Sequence, residues 1–387
     1  MFSKQLFNTL VPFLNYIQIG VLIFSFYVCK IFKKLYSQVD YIFGTYEIAN
    51  NLENLSSTFE NSKVVCFYRN RFYSNNNYDY EIYFNNIYLR ILIIFIYGPL
   101  LLGYLMNKSE NFFYIWNKGF LFNRKYEFYF LKKKKKKLIL FYCGSDIRSP
   151  TLSLNYTDSK GIDNHLNYLD KNTNTILDKK VKIEASLADQ YADLIFSAKL
   201  DQISYIKKEI HRPPYSYPKS KFNFNTEKFN FKTPILIVHA PSSPIAKGTQ
   251  LVRAAIKKLE LKGYDFEYIE LINKPNEEVL SILSRSHIVL NQFYGHGEGI
   301  GLLGVEAMAN MNCLMMSLDD DYRYENVNIN DVIFNTKYWE IDEKLKFLLD
   351  HPHEIKKMAV AGYDFTLNNF ESEKAKFTYQ KIFKKIS

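Results

Sequence analysis

A chain of 387 residues is long enough for two or three domains and can bury a large core. Its 47% hydrophobic and 23% charged residues describe a globular protein and exclude an intrinsically disordered one. The charge of +10 and the 31 Tyr and 32 Phe would suit a nucleic-acid binder, yet no helix-turn-helix, zinc-finger or RNP-like pattern accompanies them; no nucleic-acid partner is expected, and an anionic membrane surface fits better.

In chain order, Lys4 and Lys30 bracket 25 residues without a charge, enough to cross a ~30 Å hydrocarbon layer as a helix. Lys30, Lys33 and Lys34 follow this segment, so residues 1–37 read as an N-terminal hydrophobic anchor with the body on the cytoplasmic side of the inner membrane, single-pass or peripheral. The run VDYIFGTYEIANN predicts a strand ending at Gly44 and then a helix, with Gly44 at the turn where such folds hold ligands. Residues 91–107, 17 without a charge, predict a helix broken at Gly98 and Pro99 that packs on the sheet or leans on the membrane. The six lysines at 132–137 read as a solvated loop or as a contact for anionic lipid.

LILFYCGSDIRSP then predicts a buried strand with Cys143, Asp146 and Arg148 at its carboxyl end, where open α/β sheets gather ligand groups; Asp146 and Arg148 pairing with each other is the alternative. A helix and strand over 181–200 close a first domain at 38–210, and the Pro-, Asn- and Lys-rich residues 211–232 read as a linker. Strands alternating with helices resume from 233, predicting a second parallel, doubly wound sheet. Lys247 stands before Gly248 at a helix start, placed to meet a phosphate.

Residues 287–317 hold the densest chemistry. Gly295, Gly297, Gly299, Gly301 and Gly304, five of the 15 glycines, lie between an apolar strand and a helix, and a helix beginning at such a loop aims free N–H groups at an anion. Glu298 and Glu306 frame it with seven residues between them. The four cysteines (Cys29, Cys66, Cys143, Cys313) have neither zinc nor disulfide spacing and fit a reducing cytoplasm.

EGIGLLGVEAMA resembles the E-x7-E signature of retaining GT-B glycosyltransferases, the nucleotide-sugar family that includes many bacterial capsule, O-antigen and lipopolysaccharide enzymes. IVHAPSSPIAKGTQ is similar to that family's phosphate-binding lysine element, and FGTYEIANN and CGSDIR fall where its first domain has its glycine loop and acceptor-side motif. The resemblance implies an α/β GT-B fold: two Rossmann-like domains across a cleft, the donor domain at 233–362 and a helix at 363–387 crossing back. It implies that Glu298 contacts the donor sugar, Glu306 the ribose and Lys247 the diphosphate, with the amides of Gly299, Ile300, Gly301 and Leu302 beside it and Gly44 on the donor side. Cys143, Asp146 and Arg148 would line the acceptor side. No metal or other cofactor is then required; the partners would be a nucleotide diphosphate-sugar and a glycan or lipid-linked acceptor. Pro241 stands where the family usually has an arginine, and Cys143 where it often has a histidine. A non-catalytic GT-B-like binding or scaffolding subunit of a glycan-assembly complex is the rival expectation.

Overall fold

The computed structural model describes residues 4–70, 72–73, 78–82, 84, 86–294, 299–319, 322, 324 and 327–386, with only the backbone at 4–11. The first half of the chain runs α1 (Lys4–Ile31), β1 (Tyr41–Tyr46), α2 (Asn51–Ser56), β2 (Ser62–Tyr68), β3 (Tyr80–Glu81), α3 (Ile87–Leu105) and β4 (Asn111–Ile115). It continues through α4 (Arg124–Lys133), β5 (Lys137–Phe141), α5 (Pro150–Ser159), α6 (Lys171–Tyr191) and β6 (Leu194–Phe196). The second half begins with β7 (Ile235–His239), α7 (Pro244–Lys247), α8 (Thr249–Leu261), β8 (Phe266–Glu270), α9 (Asn276–Leu283) and β9 (Ile288–Leu290). After these come α10 (Gly301–Ala309), β10 (Cys313–Met316), β11 (Phe334–Asn335), α11 (Ile341–Asp350), α12 (Pro352–Phe370) and α13 (Ser372–Phe383).

Strand alternation sorts the first core. Ile42, Phe112 and Tyr114 point to the face covered by α1, α3, α4 and α6, while Phe43 and Phe113, one residue along, point to the face covered by α2 and α13. Both faces are buried, as a parallel sheet requires. The strand order is β3-β2-β1-β4-β5-β6, every pair parallel, so the direction of strand addition reverses between β1 and β4. The second sheet, β11-β10-β9-β7-β8, is likewise parallel and reverses between β7 and β9. In doubly wound sheets, ligands bind beyond the carboxyl ends of the strands at these two reversals. Ala375, Tyr379 and Phe383 of α13 pack into the first sheet's aromatic face although α13 follows the second sheet in the chain.

Several local expectations give way to tertiary packing. β1 continues to Tyr46, because β2 and β4 pair with it on both sides; Gly44 is therefore inside the strand, opposite Val65 and Tyr114, and not at the turn. A Cβ there would meet Val65 at 3.4–3.5 Å, an ordinary van der Waals contact. α3 runs unbroken through Pro99, with Gly98 and Pro99 both buried, and a Cβ on Gly98 would collide with the Phe120 carbonyl. The lysine run is not simply solvated: Lys132 pairs with Asp193 at 2.7 Å and Lys136 with Glu110 at 2.8 Å, and the Lys137 ammonium donates to the Ile386 carbonyl. Residues 211–232 hold no long element but are packed in place: Tyr217 is buried, and its N–H donates to the Phe370 carbonyl at 2.8 Å.

α1 and α3, both long and apolar enough to cross a membrane, lie against each other. Leu22 and Phe26 of α1 enter the first domain's core, and the Ser25 hydroxyl donates to the Leu100 carbonyl at 2.7 Å. Gln18 donates to the Phe95 carbonyl and accepts from the Phe122 N–H, each at 3.0 Å. Gly103 permits this approach, since a Cβ there would meet Ser25 and the Phe26 amide at 2.7 Å.

Candidate active site

At the reversal of the second sheet, the loops after β7 and β9 come together. α7 ends at Lys247, and Gly248, with φ +73°, turns the chain into α8. The half-buried Lys247 donates to Gln292 Oε1 at 2.6 Å; Gln292 in turn donates from Nε2 to the Gly299 carbonyl at 2.9 Å. A sequence-distant lysine is thereby tied to the glycine loop. Burial pushes the Lys247 pKa down to about 8, with Asp201 opposing and Arg148 reinforcing the shift.

The loop itself is fixed by side chains. Asn291 donates to the Ile300 carbonyl at 2.7 Å, and the Gly301 N–H donates to the Tyr215 hydroxyl at 2.9 Å. Gly301 takes φ +71°, in the left-handed region where glycine is preferred. Ile300 and Leu302 are buried. Glu298, with Gly295 and Gly297, lies outside the described residues.

Glu306 is buried in the second turn of α10, where Asn276 donates to its Oε1 at 2.8 Å. Burial raises its pKa to about 7, against the pull of the Asn276 bond and the Lys221 charge. Such a carboxyl accepts hydrogen bonds from vicinal hydroxyls when ionised.

The first domain faces this site. Gly299 lies close enough to the Asp201 carboxylate that a side chain at 299 would meet it at 3.3 Å. Arg148 does not pair with Asp146; it binds Asp201 at 2.9 Å, which places the guanidinium at the boundary with the donor loop. Asp146, fully buried, accepts from the Gly144 N–H at 2.7 Å and from the Cys143 N–H at 3.1 Å; it shapes the turn after β5, and burial lifts its pKa to about 7. Burial, and then the charges of Asp146 and Glu47, push the Cys143 thiol well up, which removes the thiolate character a nucleophile needs. Asn51 Nδ2 sits 3.8 Å from its sulfur.

Glu47, beyond β1, was not singled out by sequence. It is fully buried, accepts from Leu52 N–H at 3.3 Å, Glu53 N–H at 3.2 Å and Tyr78 hydroxyl at 3.0 Å, and burial raises its pKa to about 7. Burial raises Tyr73 too, and the charges of Glu306 and Glu47 both add to that shift, so this phenol feels carboxyls of both domains. Gln292, Asn276, Asp201 and Tyr215 also join the site through partners far away in sequence. The only local signal was polarity at a strand end or helix start.

No known family profile matches the chain, and no curated protein matches its sequence. Solved structures do match its fold. Sucrose-phosphate synthase from Thermosynechococcus elongatus aligns over 90% of this chain and 99% of its own, with TM-score 0.58 and 10% identity. Anabaena HepE in complex with UDP-glucose aligns over 89% and 99%, with TM-score 0.57 and 10% identity. A glycosyltransferase from Rickettsia africae aligns over 91% and 99%, with TM-score 0.56 and 11% identity. With its two parallel α/β sheets facing across a cleft, this chain has the GT-B fold of these neighbours.

Proposed function

We propose that this chain is a glycosyltransferase that moves a sugar from a nucleoside diphosphate donor, of the UDP-sugar kind, to an acceptor hydroxyl with retention at the anomeric carbon, in the assembly of a bacterial surface polysaccharide or lipopolysaccharide. The observation that carries the reading is the Lys247–Gln292–Gly299 network at the reversal of the second sheet, with buried Glu306 on the helix that follows. A lysine on one loop and a helix N-terminus on the next form a site for a diphosphate, and Glu306 is placed to accept from ribose hydroxyls. HepE, one of the fold neighbours, was solved with UDP-glucose, which supports the same donor class here.

In the proposed step, the acceptor oxygen bonds to the anomeric carbon as that carbon's bond to the β-phosphate oxygen breaks. The electron pair leaves with the diphosphate, which takes the acceptor's proton on the same face. Lys247 stabilises the charge that develops on the leaving group. Glu298 is assigned the donor sugar's hydroxyls, and Cys143, Asp146 and Arg148 the acceptor side, where Asp146 and Arg148 hold the backbone that borders the cleft.

One observation favours the rival reading of a non-catalytic subunit: the Gly301 amide expected to face the diphosphate already donates to Tyr215. The test follows donor-dependent nucleoside diphosphate release from a panel of nucleotide sugars by wild type, Lys247→Gln and Tyr215→Phe. A transferase releases diphosphate, loses about 10²-fold in rate with Lys247→Gln, and is not impaired by Tyr215→Phe. Nucleotide binding without release by any of the three proteins establishes the subunit.

A further inference from the structure

A second pocket, of about 130 Å³, lies in the loop after β4, at the reversal of the first sheet, and is lined by Tyr68, Asn117, Lys118, Gly119, Phe122 and Arg124. Arg124 is 7% exposed. One of its terminal nitrogens pairs with Glu184, but Nε and Nη2 are buried without a hydrogen-bond partner among the described residues. Unsatisfied guanidinium donors at this depth are costly; the Phe128 ring, its centroid 4.6 Å from the guanidinium carbon, offsets part of that cost, and an anion would offset more.

The local charge points the same way. Lys118 is an exposed residue whose pKa is lowered by burial and then by the charges of Lys180 and Arg124. Against these three cations stand Glu184, which binds Arg124 and accepts from Tyr142 at 2.7 Å, and Glu127. Glu127 is buried beneath Gly119; its oxygens accept from the Tyr114 hydroxyl and from the Phe120 and Leu121 N–H groups, the last at 2.9 Å. Both carboxylates act on Arg124, and each is held by a buried tyrosine hydroxyl.

The pocket wall continues into the α1–α3 slab. The Phe122 N–H is bonded to Gln18 of α1, and its ring centroid is 5.8 Å from that of Phe95 on α3. The slab's outer side is apolar: Phe24 is 66% exposed, Ile31 77%, Tyr88 81% and Leu92 58%. Lys30 near the end of α1, Lys33 and Lys34 just after it, Lys133 at the end of α4 and Lys135 beyond it are exposed. An apolar face with basic margins is complementary to an anionic bilayer surface. Because Gln18 and Ser25 bond to α3, α1 keeps these partners only where α3 stays beside it.

We propose that the Arg124–Lys118 pocket binds a phosphate group carried on a membrane lipid, with the α1–α3 face receiving the lipid's chains. The inference does not depend on the transfer reaction. It is tested by sedimenting the full-length protein with phosphatidylcholine vesicles that carry either phosphatidic acid or, at matched surface charge, oleic acid. Wild type is expected to prefer phosphatidic acid by roughly tenfold, as charge-assisted bonds to phosphate would give. Lys118→Gln, at an exposed position, should lose that preference and still bind both vesicles. Phe24→Ser combined with Leu92→Ser should weaken binding to both. Equal binding of wild type to the two vesicles, or an undiminished preference in Lys118→Gln, overturns the phosphate pocket. Calorimetric binding of inorganic phosphate with no recruitment to either vesicle overturns the lipid-borne source. A dimer dispersed by the Phe24→Ser, Leu92→Ser pair, with no vesicle binding, gives the face to a second copy and overturns the proposal.

Discussion

Lys247 carries a pH signature that a surface lysine would not have. With a pKa pushed down to about 8, it is charged at neutral pH and loses its proton as pH rises through that value. A bound diphosphate favours the charged form, so nucleoside diphosphate affinity should fall as pH is raised from about 7 to 9. Titration calorimetry with UDP across that range checks it, and Lys247→Gln should bind weakly with a flat profile. Lys247 and Glu306 were legible in the sequence because their cues are local: a glycine after a lysine at a helix start, and a carboxylate at fixed spacing from a glycine loop. Gln292, Asp201 and Tyr215 were not, because nothing near them in the sequence encodes a partner 45, 53 or 86 positions away.

At the scale of elements, the succession of strands and helices could be read from period and punctuation, whereas their limits depended on neighbours. β1 outran Gly44 because β2 and β4 both continued its pairing. α1 was ambiguous for a physical reason: an apolar helix long enough for a bilayer has the same composition as one that covers a sheet. Gln18 and Ser25 lie on the face of α1 that meets α3. Gly103 is the residue on which that contact turns. Gly103→Leu should destabilise the first domain by about 1–3 kcal/mol through overpacking, read as a lower denaturant midpoint. An unchanged midpoint would mean that α1 does not pack there.

Across the whole molecule, three buried carboxyls bear on stability together. Glu47, Asp146 and Glu306 each have a folded-state pKa raised by burial to about 7, above the ordinary carboxylate range. A raised acid contributes stability that is complete below its unfolded pKa and is lost as pH rises through the folded one. From these groups, Tm should therefore fall by several degrees between about pH 5 and pH 8, and Glu47→Gln should flatten the slope. Scanning calorimetry in matched ionic strength reads both. The same carboxyls sit at the carboxyl edges of the two sheets, so the cost of burying them falls where a substrate would be held. The most direct test of the account is proton NMR of the reaction between the full-length protein, a UDP-sugar with an α anomeric carbon and an acceptor panel presented on vesicles. The account predicts release of UDP and a product whose new glycosidic bond is α, as in the donor. A β-linked product, or a donor left intact with every acceptor, would contradict it.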